Sequence, residues 1–237
     1  MLDRIVGSYR LKGVLGRGGM GEVYLAEHVR MGQRVALKLI LPEHRERPEA
    51  VQRFHNEARA LAKVSHPGVV AVFDVSELPD GSCYLVLEYL AGSSLRERLR
   101  TPGEPLSLAH SLHILQQAAV ALAAVHHAGI IHRDLSPANL MLVPDGGSPP
   151  FRVKLLDFGL AKQSQAEAHT DTSQNTTRDG AVIGTPKYMA PEQGLDAGGV
   201  DERADVYALG VIGFELLVGR PPFEAPSSWE LLGMHMR

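Results

Sequence analysis

Three side chains with oxygen atoms that can bind a proton or a metal ion occur in a fixed order near the middle of the chain. The stretch HRDLSPAN, at 132–139, contains Asp134 and Asn139, and Asp157 opens the stretch DFG eighteen residues after the asparagine. A single aspartate is commonly a turn or helix-cap residue, but the ordered set favours one shared site. One carboxylate would orient a hydroxyl, and the other two groups are hard oxygen ligands of the kind that Mg²⁺ prefers.

A glycine-rich segment near the N-terminus could approach phosphate groups closely. In LGRGGMGEV, at 15–23, Gly16, Gly18 and Gly21 leave room for backbone N–H groups to reach phosphates. The pattern alone is weak, because a glycine-rich hairpin needs no ligand and similar spacing occurs in dinucleotide-binding folds. In those folds the glycines open a helix, whereas residues 23–26 here continue as a strand.

A lysine and a glutamate add candidate charged groups. Strand alternation in VALK, at 35–38, puts Ala36 and Lys38 on the same face, although an isolated lysine is more often a solvated surface residue. Glu57 lies on the apolar side of the following predicted helix, three residues after Phe54. A carboxylate in that position needs a cation.

Together these motifs resemble the protein kinase family, because HRD, the spaced asparagine, DFG and a later APE occur in the family's order. The resemblance implies that Asp134 accepts or orients the substrate hydroxyl and that Asn139 and Asp157 bind Mg²⁺. It also implies that Lys38, paired with Glu57, holds the α- and β-phosphates of ATP. The residues that would bind the nucleotide are Leu15, Gly16, Arg17, Gly18, Gly19, Met20, Gly21, Val23, Ala36, Lys38, Glu88, Leu90 and Met141.

The segment GTPKYMAPEQ, at 184–193, is similar to the substrate-docking loop of serine/threonine kinases. The resemblance implies serine and threonine acceptors, with Thr185 directed toward Asp134, and protein substrates that include a second copy of the chain. Arg133 resembles the arginine that receives an activation-loop phosphate, and hydroxyl side chains are concentrated in 170–177. We therefore expect autophosphorylation in that segment.

Two features depart from the family pattern. Ser136 stands where serine/threonine kinases usually have a lysine that contacts the transferring phosphate, and the loss of one such donor costs on the order of 10²–10³ in rate. Lys162 or Arg17 could supply the charge from another direction. The chain also ends at Arg237, inside what resembles the next helix, so we expect part of a helix at 203–218 to be uncovered.

The composition indicates a globular protein. Of 237 residues 44% are hydrophobic, and the net charge of -3 offers no broad attraction for nucleic acid or anionic membranes. The only cysteine, Cys83, cannot form an internal disulfide, and the 11 histidines form no zinc-ligand pattern with it. We find no signal peptide and no apolar run of about 18 residues, the length that a membrane span needs. These features favour the cytoplasm, without membrane contact from this segment.

Strands predominate in the first part of the chain. Short runs rich in Val, Leu, Ile and Tyr predict strands within 9–29, 33–41, 69–77 and 83–89. From Pro48 onward, apolar residues recur every three or four positions and predict one helix between these strands.

Helices predominate in the remainder. A long helix is predicted between Ser107 and Gly129, and its inward face would consist of Leu108, Leu112, Leu115, Leu122 and Val125. A second helix, at 203–218, is apolar on nearly all sides, as is typical of a helix inside a domain. With the resemblance, this order predicts an α+β, two-lobed protein kinase-like fold. The boundaries would be an antiparallel-sheet lobe at 9–90 and a mainly helical, incomplete lobe at 91–237.

Three classes of function remain to be compared. The leading one is an ATP-dependent protein serine/threonine kinase. The second is a nucleotide-binding pseudokinase or scaffold with weak or no catalysis, which Ser136 and the position of the chain end suggest. The third is a small-molecule phosphotransferase of related fold, and the segment at 184–193 argues against it.

Overall fold

The computed structural model describes residues 3–18, 21–41, 48–101, 106–157, 186–195 and 199–237. The chain divides into two compact units. The first consists of Met1–Ser65 and Val70–Ala91, and the second consists of His66–Val69 and Gly92–Arg237.

The first unit contains a six-stranded antiparallel sheet with the spatial order β1-β2-β3-β4-β6-β5. Its strands are β1 (Ile5–Val6), β2 (Tyr9–Arg17), β3 (Gly21–His28), β4 (Arg34–Ile40), β5 (Val72–Glu77) and β6 (Cys83–Glu88). The predicted strands are thereby confirmed. Inward side chains of this sheet form one buried cluster, whose members are Val6, Leu11, Tyr24, Ala26, Val35, Leu37, Tyr84 and Val86.

One helix, α1 (Pro48–Ala62), packs against β5 and β6 in the first unit. Phe54, Ala58 and Leu61 are each 1% exposed, which confirms the apolar stripe that the sequence predicts. Burial of this stripe removes apolar surface from water and holds the helix on the sheet.

The second unit is mainly helical and contains a small sheet with the order β7-β8-β9. Its strands are β7 (Ser93–Ser94), β8 (Leu140–Pro144) and β9 (Phe151–Leu155). Its helices are α2 (Leu95–Arg100), α3 (Leu108–His127), α4 (Pro191–Leu195), α5 (Arg203–Val218) and α6 (Ser228–His235), with 3-10 turns at Pro137–Asn139 and Pro186–Tyr188. The long helix α3 packs against β9 and α5.

The bounds of α3 match the prediction, but its predicted inward face is partly wrong. Leu108 and Leu112 are 63% and 53% exposed, whereas Leu122 and Val125 are buried as expected. The buried face is formed by Ser111, Ile114, Ala118, Ala121, Leu122 and Val125. Small residues allow close packing there, since a methyl group added at Gly68 would lie 3.1 Å from the Ala121 methyl. The helix has two apolar faces, and periodicity alone does not tell which one packs.

This difference between the faces of α3 predicts different costs for two truncations. Ile114→Ala removes a fully buried side chain and is expected to lower the free energy of unfolding by about 2–5 kcal/mol. Leu112→Ala removes an exposed side chain and should stay within about 0.5 kcal/mol of the wild type. Urea unfolding of both variants measures the difference. Equal costs for the two truncations would contradict the assigned face.

Helix α5 is buried on one side only. Ala204, Asp205, Ala208 and Ile212 are at most 3% exposed. The opposite side carries exposed apolar residues, namely Val206, Phe214, Leu217 and Val218. The expectation that this helix lies inside a domain therefore holds for one face, and the expectation of an uncovered face is confirmed.

Helix α3 is also long and apolar enough, with a mean hydropathy of 1.4, to meet the length and composition of a membrane span. From the sequence we expected no segment of this length and composition. Its packing against β9 and α5 is the environment of a core helix, and core helices often share this composition.

Candidate active site

The hairpin of β8 and β9 brings two of the candidate oxygen donors together. Leu140 of β8 pairs with Leu155 of β9, so Asn139, just before β8, and Asp157, just after β9, lie at the same end of the hairpin. The Leu156 N–H donates to the Asn139 carbonyl oxygen at 2.9 Å and closes this end. The ladder thus brings the backbone segments of Asn139 and Asp157 together at one end of the hairpin.

Asp134 joins this pair through the 3-10 turn at Pro137–Asn139. Asn139 Nδ2 donates to the Asp134 carbonyl oxygen at 2.8 Å, and the Asn139 N–H donates to the Ser136 carbonyl oxygen at 3.0 Å. With Nδ2 bonded to Asp134, Oδ1 is the atom of the Asn139 side chain that can face a cation. The three oxygen donors singled out in the sequence therefore lie in one region of the second unit.

His132 supports the loop as a buried, neutral ring. Its side chain is 0% exposed, and burial lowers the pKa of His132, although the Asp205 carboxylate and the Leu156 carbonyl oppose the shift. Nδ1 accepts a hydrogen bond from the Asp134 N–H at 3.3 Å, so Nε2 carries the proton and donates to the Leu156 carbonyl oxygen at 2.9 Å. The ring therefore links the segment of Asp134 to the segment of Asp157.

Asp205 anchors the same loop from α5. Its buried carboxylate accepts hydrogen bonds from the N–H groups of His132 and Arg133 at 2.8 Å each and from His126 Nε2 at 2.7 Å. Arg133 has φ of 60°, a left-handed conformation that is uncommon for a residue other than glycine. The hydrogen bonds to Asp205 hold the backbone in this conformation just before Asp134.

Gln193 links the loop that contains Arg133 and Asp134 to the backbone of Ala190. Gln193 Nε2 donates to the Arg133 carbonyl oxygen at 2.9 Å, and Gln193 Oε1 accepts from the Ala190 N–H at 3.0 Å. The Tyr188 hydroxyl donates to Glu215 Oε2 at 2.7 Å. Burial, followed by this hydrogen bond, raises the pKa of Tyr188 well above its usual range. The described part of the predicted docking segment is thus tied to both α5 and the loop of Asp134.

The side chain of Ser136 lies inside the second unit. It is 4% exposed and immediately precedes the 3-10 turn. Of the two cations proposed to compensate for it, Arg17 lies on β2 and pairs through Nε with Glu22 Oε1 at 2.6 Å. Glu22 also accepts a hydrogen bond from the Tyr24 hydroxyl. Lys162, the other proposed cation, lies outside the described residues.

In the first unit, three nucleotide-site candidates share one face of the sheet. Lys38 of β4 lies opposite Val23 of β3 and opposite Leu85 of β6. Because opposed residues in an antiparallel ladder point to the same face, Val23 and Lys38 project together, and Ala36 joins them two residues away. Lys38 and Ala36 are each 9% exposed. The predicted face of small and charged side chains is therefore formed.

The glycine-rich segment forms the end of the hairpin between β2 and β3. The Gly18 N–H donates to the Gly21 carbonyl oxygen at 2.9 Å. A methyl group at Gly21 would lie 2.6 Å from the Leu39 carbonyl oxygen, so only glycine fits there. Gly16 pairs with Val23, and Leu15 is 48% exposed. The observed strand after the glycines agrees with the preference for a hairpin over a helix.

The structure describes only some of the remaining candidate site residues. Glu88 ends β6, and its N–H donates to the Ala71 carbonyl oxygen at 2.9 Å, with Leu90 two residues later. In the second unit, Met141 lies on β8 opposite Ser94. The structure does not describe the side chain of Glu57. It also does not describe Gly19, Met20, Thr185 and the segment 170–177.

Two residues of this region were not identified from the sequence as site residues. They are His126 and Glu215. Each acts through a contact to a distant part of the chain, such as the bond of His126 to Asp205, 79 residues away. No local pattern around them signals such a partner.

The chain is similar to known protein kinases. A family model described as "Protein kinase domain" matches residues 9–236. The chain is 49% identical over 217 residues to the serine/threonine-protein kinase Pkn1 of Myxococcus xanthus, an alignment that covers 92% of this chain and 30% of that protein. It is 39% identical over 237 residues to the serine/threonine-protein kinase PknA of Mycobacterium tuberculosis, covering 98% and 51%. The chain thus spans between 30% and 51% of the length of these two relatives.

Among solved structures, the kinase domain of PknI from Mycobacterium tuberculosis, crystallised as a double mutant, is similar to this chain. The TM-score is 0.71 at 29% sequence identity, over 96% of this chain and 81% of that one. This likeness confirms the predicted fold class.

Proposed function

Because the chain belongs to the protein kinase family, we propose that it transfers the γ-phosphoryl group of MgATP to serine and threonine hydroxyls of proteins. The observation that carries this proposal is the convergence of Asp134, Asn139 and Asp157 at one end of the β8–β9 hairpin. Phosphoryl transfer depends on positioning and charge neutralisation, so a set of fixed oxygen donors suits it and no nucleophilic enzyme side chain is needed. The named relatives are serine/threonine kinases, which does not favour the pseudokinase alternative.

The proposed roles in the second unit follow from side-chain chemistry. The Asp134 carboxylate accepts or orients the proton of the attacking hydroxyl. Asn139 Oδ1 and the Asp157 carboxylate hold Mg²⁺, and two hard oxygen ligands fit an ion that keeps several positions for water and phosphate oxygens. The bound ion supplies charge neutralisation for the phosphates.

The first unit supplies the proposed nucleotide-binding groups. Lys38, oriented by Glu57, contacts the α- and β-phosphates, and Val23 and Ala36 pack against the adenine. The backbone of Glu88 and Leu90 meets the edge of the base. The glycine-rich hairpin, Leu15 to Gly21, covers the phosphates. Met141 is also proposed to contact the nucleotide.

The protein is proposed to act on protein substrates in the cytoplasm. The substrates are proteins, including a second copy of the chain that is phosphorylated within 170–177, and Arg133 would receive the new phosphate. The net charge of -3 argues against nucleic acid and against membrane contact by this segment. We place the segment in the cytoplasm, where ATP is available and Cys83 remains a buried thiol.

Transfer of radiolabelled phosphate from ATP tests the function directly. Incubation with Mg²⁺ and a generic protein substrate should label serine and threonine, and peptide mapping should find label within 170–177. Nucleotide binding without transfer would select the pseudokinase, and label on small molecules alone would select the small-molecule phosphotransferase.

Ser136 provides a separate prediction about turnover. Ser136→Lys restores a cation at the position where the family usually has one, and we expect turnover to rise by about 10-fold, which is less than the roughly 10²–10³ that one optimally placed transition-state donor contributes. Nucleotide affinity should change by less than about twofold, because the added charge acts mainly on the transferring group. Steady-state kinetics and calorimetric titration with a nucleotide analogue measure the two quantities. A large change in affinity with constant turnover would contradict this role.

A further inference from the structure

The end of the β2–β3 hairpin carries an ion pair that the proposed chemistry does not use. Arg17, at the end of β2, lies directly opposite Glu22, near the start of β3, and Arg17 Nε is 2.6 Å from Glu22 Oε1. The second oxygen of the same carboxylate, Oε2, accepts a hydrogen bond from the Tyr24 hydroxyl. The two oxygens of Glu22 are therefore divided between a residue of β2 and a residue of β3.

These three side chains lie on the face of the sheet opposite the nucleotide-site candidates. Val23 alternates with Glu22 and Tyr24 along β3, and successive side chains of a strand point to opposite faces. Val23 shares its face with Lys38, whereas Tyr24 belongs to the buried apolar cluster on the other face. Because Arg17 is bonded to Glu22, its guanidinium also lies on the face that is turned away from Lys38.

The buried ring of Tyr24 distinguishes this pair from an ordinary surface ion pair. An exposed pair contributes little to stability, partly because two long side chains must be ordered to form it. The side chain of Arg17 is 75% exposed, but that of Glu22 is only 18% exposed and is bonded to the buried Tyr24. Burial, followed by the hydrogen bond to Glu22, raises the pKa of Tyr24, so the phenol keeps its proton and remains a donor. Glu22 is thus ordered by the sheet itself, and the pair loses less side-chain entropy.

The pair flanks the glycine-rich turn on which the proposed nucleotide site depends. The Gly18 N–H donates to the Gly21 carbonyl oxygen at 2.9 Å, directly inside the pair. Glycine has no side chain with which to pack against a neighbour, and it has the largest conformational freedom of any residue. The contact between Arg17 and Glu22, immediately outside Gly18 and Gly21, therefore holds the two strands together where the turn begins.

We propose that Glu22 is a positioning residue for ATP, which clamps the end of the glycine-rich hairpin by joining Arg17 to the buried Tyr24. The inference rests on the proposed function, because that proposal makes this hairpin the cover of the phosphates. Glu22 lies on the opposite face of the sheet and touches no phosphate, so its effect falls on nucleotide affinity through the backbone of the hairpin. The guanidinium of Arg17 serves this clamp and not the transferring phosphate.

Glu22→Gln keeps the size of the side chain and an oxygen that can accept from Tyr24, but it removes the charge that pairs with Arg17. We expect KM for ATP to rise about 2- to 5-fold, the scale of one partly exposed ion pair, with KM for a peptide substrate unchanged. The sign is decisive, because a guanidinium that bound phosphate itself would be released by this change and KM for ATP would fall. Glu27→Gln, the same substitution near the other end of β3, is the matched control and should behave as the wild type.

Two combinations test whether the three side chains act as one unit. Tyr24→Phe keeps the buried ring and removes the hydroxyl, and it should also raise KM for ATP. Added to Glu22→Gln, it should cause little further rise, since residues of one network are not additive. Glu22→Arg places like charges opposite each other, and the reversed pair, Glu22→Arg with Arg17→Glu, should recover part of the lost affinity. Fully additive rises, or no recovery in the reversed pair, would contradict the clamp.

Amide hydrogen exchange separates positioning from general destabilisation. The Gly18 N–H should exchange faster in Glu22→Gln, because the hydrogen bond to Gly21 then opens more often. The amides of Leu37 and Val86, within the buried cluster of the sheet, should exchange as in the wild type. Unchanged KM for ATP and unchanged exchange at Gly18 would overturn the inference, as would a fall in KM for ATP.

The failure of the proposed function would look different. If the wild type binds a non-hydrolysable ATP analogue but transfers no phosphate to any protein, that function fails. The dissociation constants of the analogue for Glu22→Gln and Glu27→Gln, measured by calorimetric titration, then still decide the role of Glu22. If transfer occurs and Glu22→Gln matches the Glu27→Gln control, the kinase function stands and the inference about Glu22 is wrong.

Discussion

Asp134→Asn is expected to lower the rate of phosphoryl transfer by about 10²–10⁴-fold, because it removes the carboxylate that takes or orients the proton of the attacking hydroxyl. The fold around the residue should persist. The backbone contacts of Asp134, its N–H to His132 Nδ1 and its carbonyl oxygen to Asn139 Nδ2, do not involve the carboxylate. Single-turnover transfer of radiolabelled phosphate measures the rate.

Two controls make the Asp134 result specific. Nucleotide affinity should be unchanged, since Asp134 has no proposed role in holding ATP. Asp145→Asn, on the exposed connection between β8 and β9, should transfer phosphate at the wild-type rate. Transfer by Asp134→Asn within about twofold of the wild type would refute the assigned role, since general acid–base groups contribute far more than that.

Asp205→Ala is expected to have the largest effect on stability. It leaves the N–H groups of His132 and Arg133 and the ring of His126 without their buried acceptor. Removing one member of a buried, hydrogen-bonded charged group costs about 3–5 kcal/mol. The left-handed conformation of Arg133 would also lose its support, and held backbone strain of this kind amounts to about 1–3 kcal/mol. Denaturant unfolding followed by circular dichroism measures the loss.

Asp205→Ala should also lower the rate of phosphoryl transfer. Because the anchored backbone leads directly into Asp134, transfer should fall even at temperatures where the variant remains folded. Asp201→Ala is the matched control: Asp201 pairs with Arg203 just before α5, on the surface, and exposed pairs of this type contribute little. If Asp201→Ala lost as much stability as Asp205→Ala, the buried hydrogen bonds of Asp205 would not explain the loss.

The parts of the site that could be predicted from the sequence are those with local patterns. Asp134, Asn139 and Asp157 stand in short motifs, and the strand alternation in VALK correctly placed Ala36 and Lys38 on one face. The helix α1 was predicted with its buried stripe because only one of its faces is apolar. In these cases the environment of a residue depends on residues that are close to it in the sequence.

What the sequence could not show depends on distant partners. Asp205 reaches the loop of His132 from 73 residues away, and nothing within α5 reveals that its aspartate is an acceptor for backbone N–H groups. The choice of face on α3 failed for a related reason, because large leucines outweighed the small Ala118 and Ala121 that allow close packing. Periodicity identifies apolar faces, but packing volume selects between them.

The assignment of His66–Val69 to the second unit has a consequence for how the chain can be dissected. The Leu155 N–H donates to the Gly68 carbonyl oxygen at 2.8 Å, and Val69 pairs in parallel with Leu155. The polypeptide therefore passes between the units after Ser65, after Val69 and after Ala91. A gene fragment that starts at Gly92 would lack the outer partner of β9, the strand that ends two residues before Asp157. Separate expression of the second unit would have to supply residues 66–69 as a covalent graft or an added peptide.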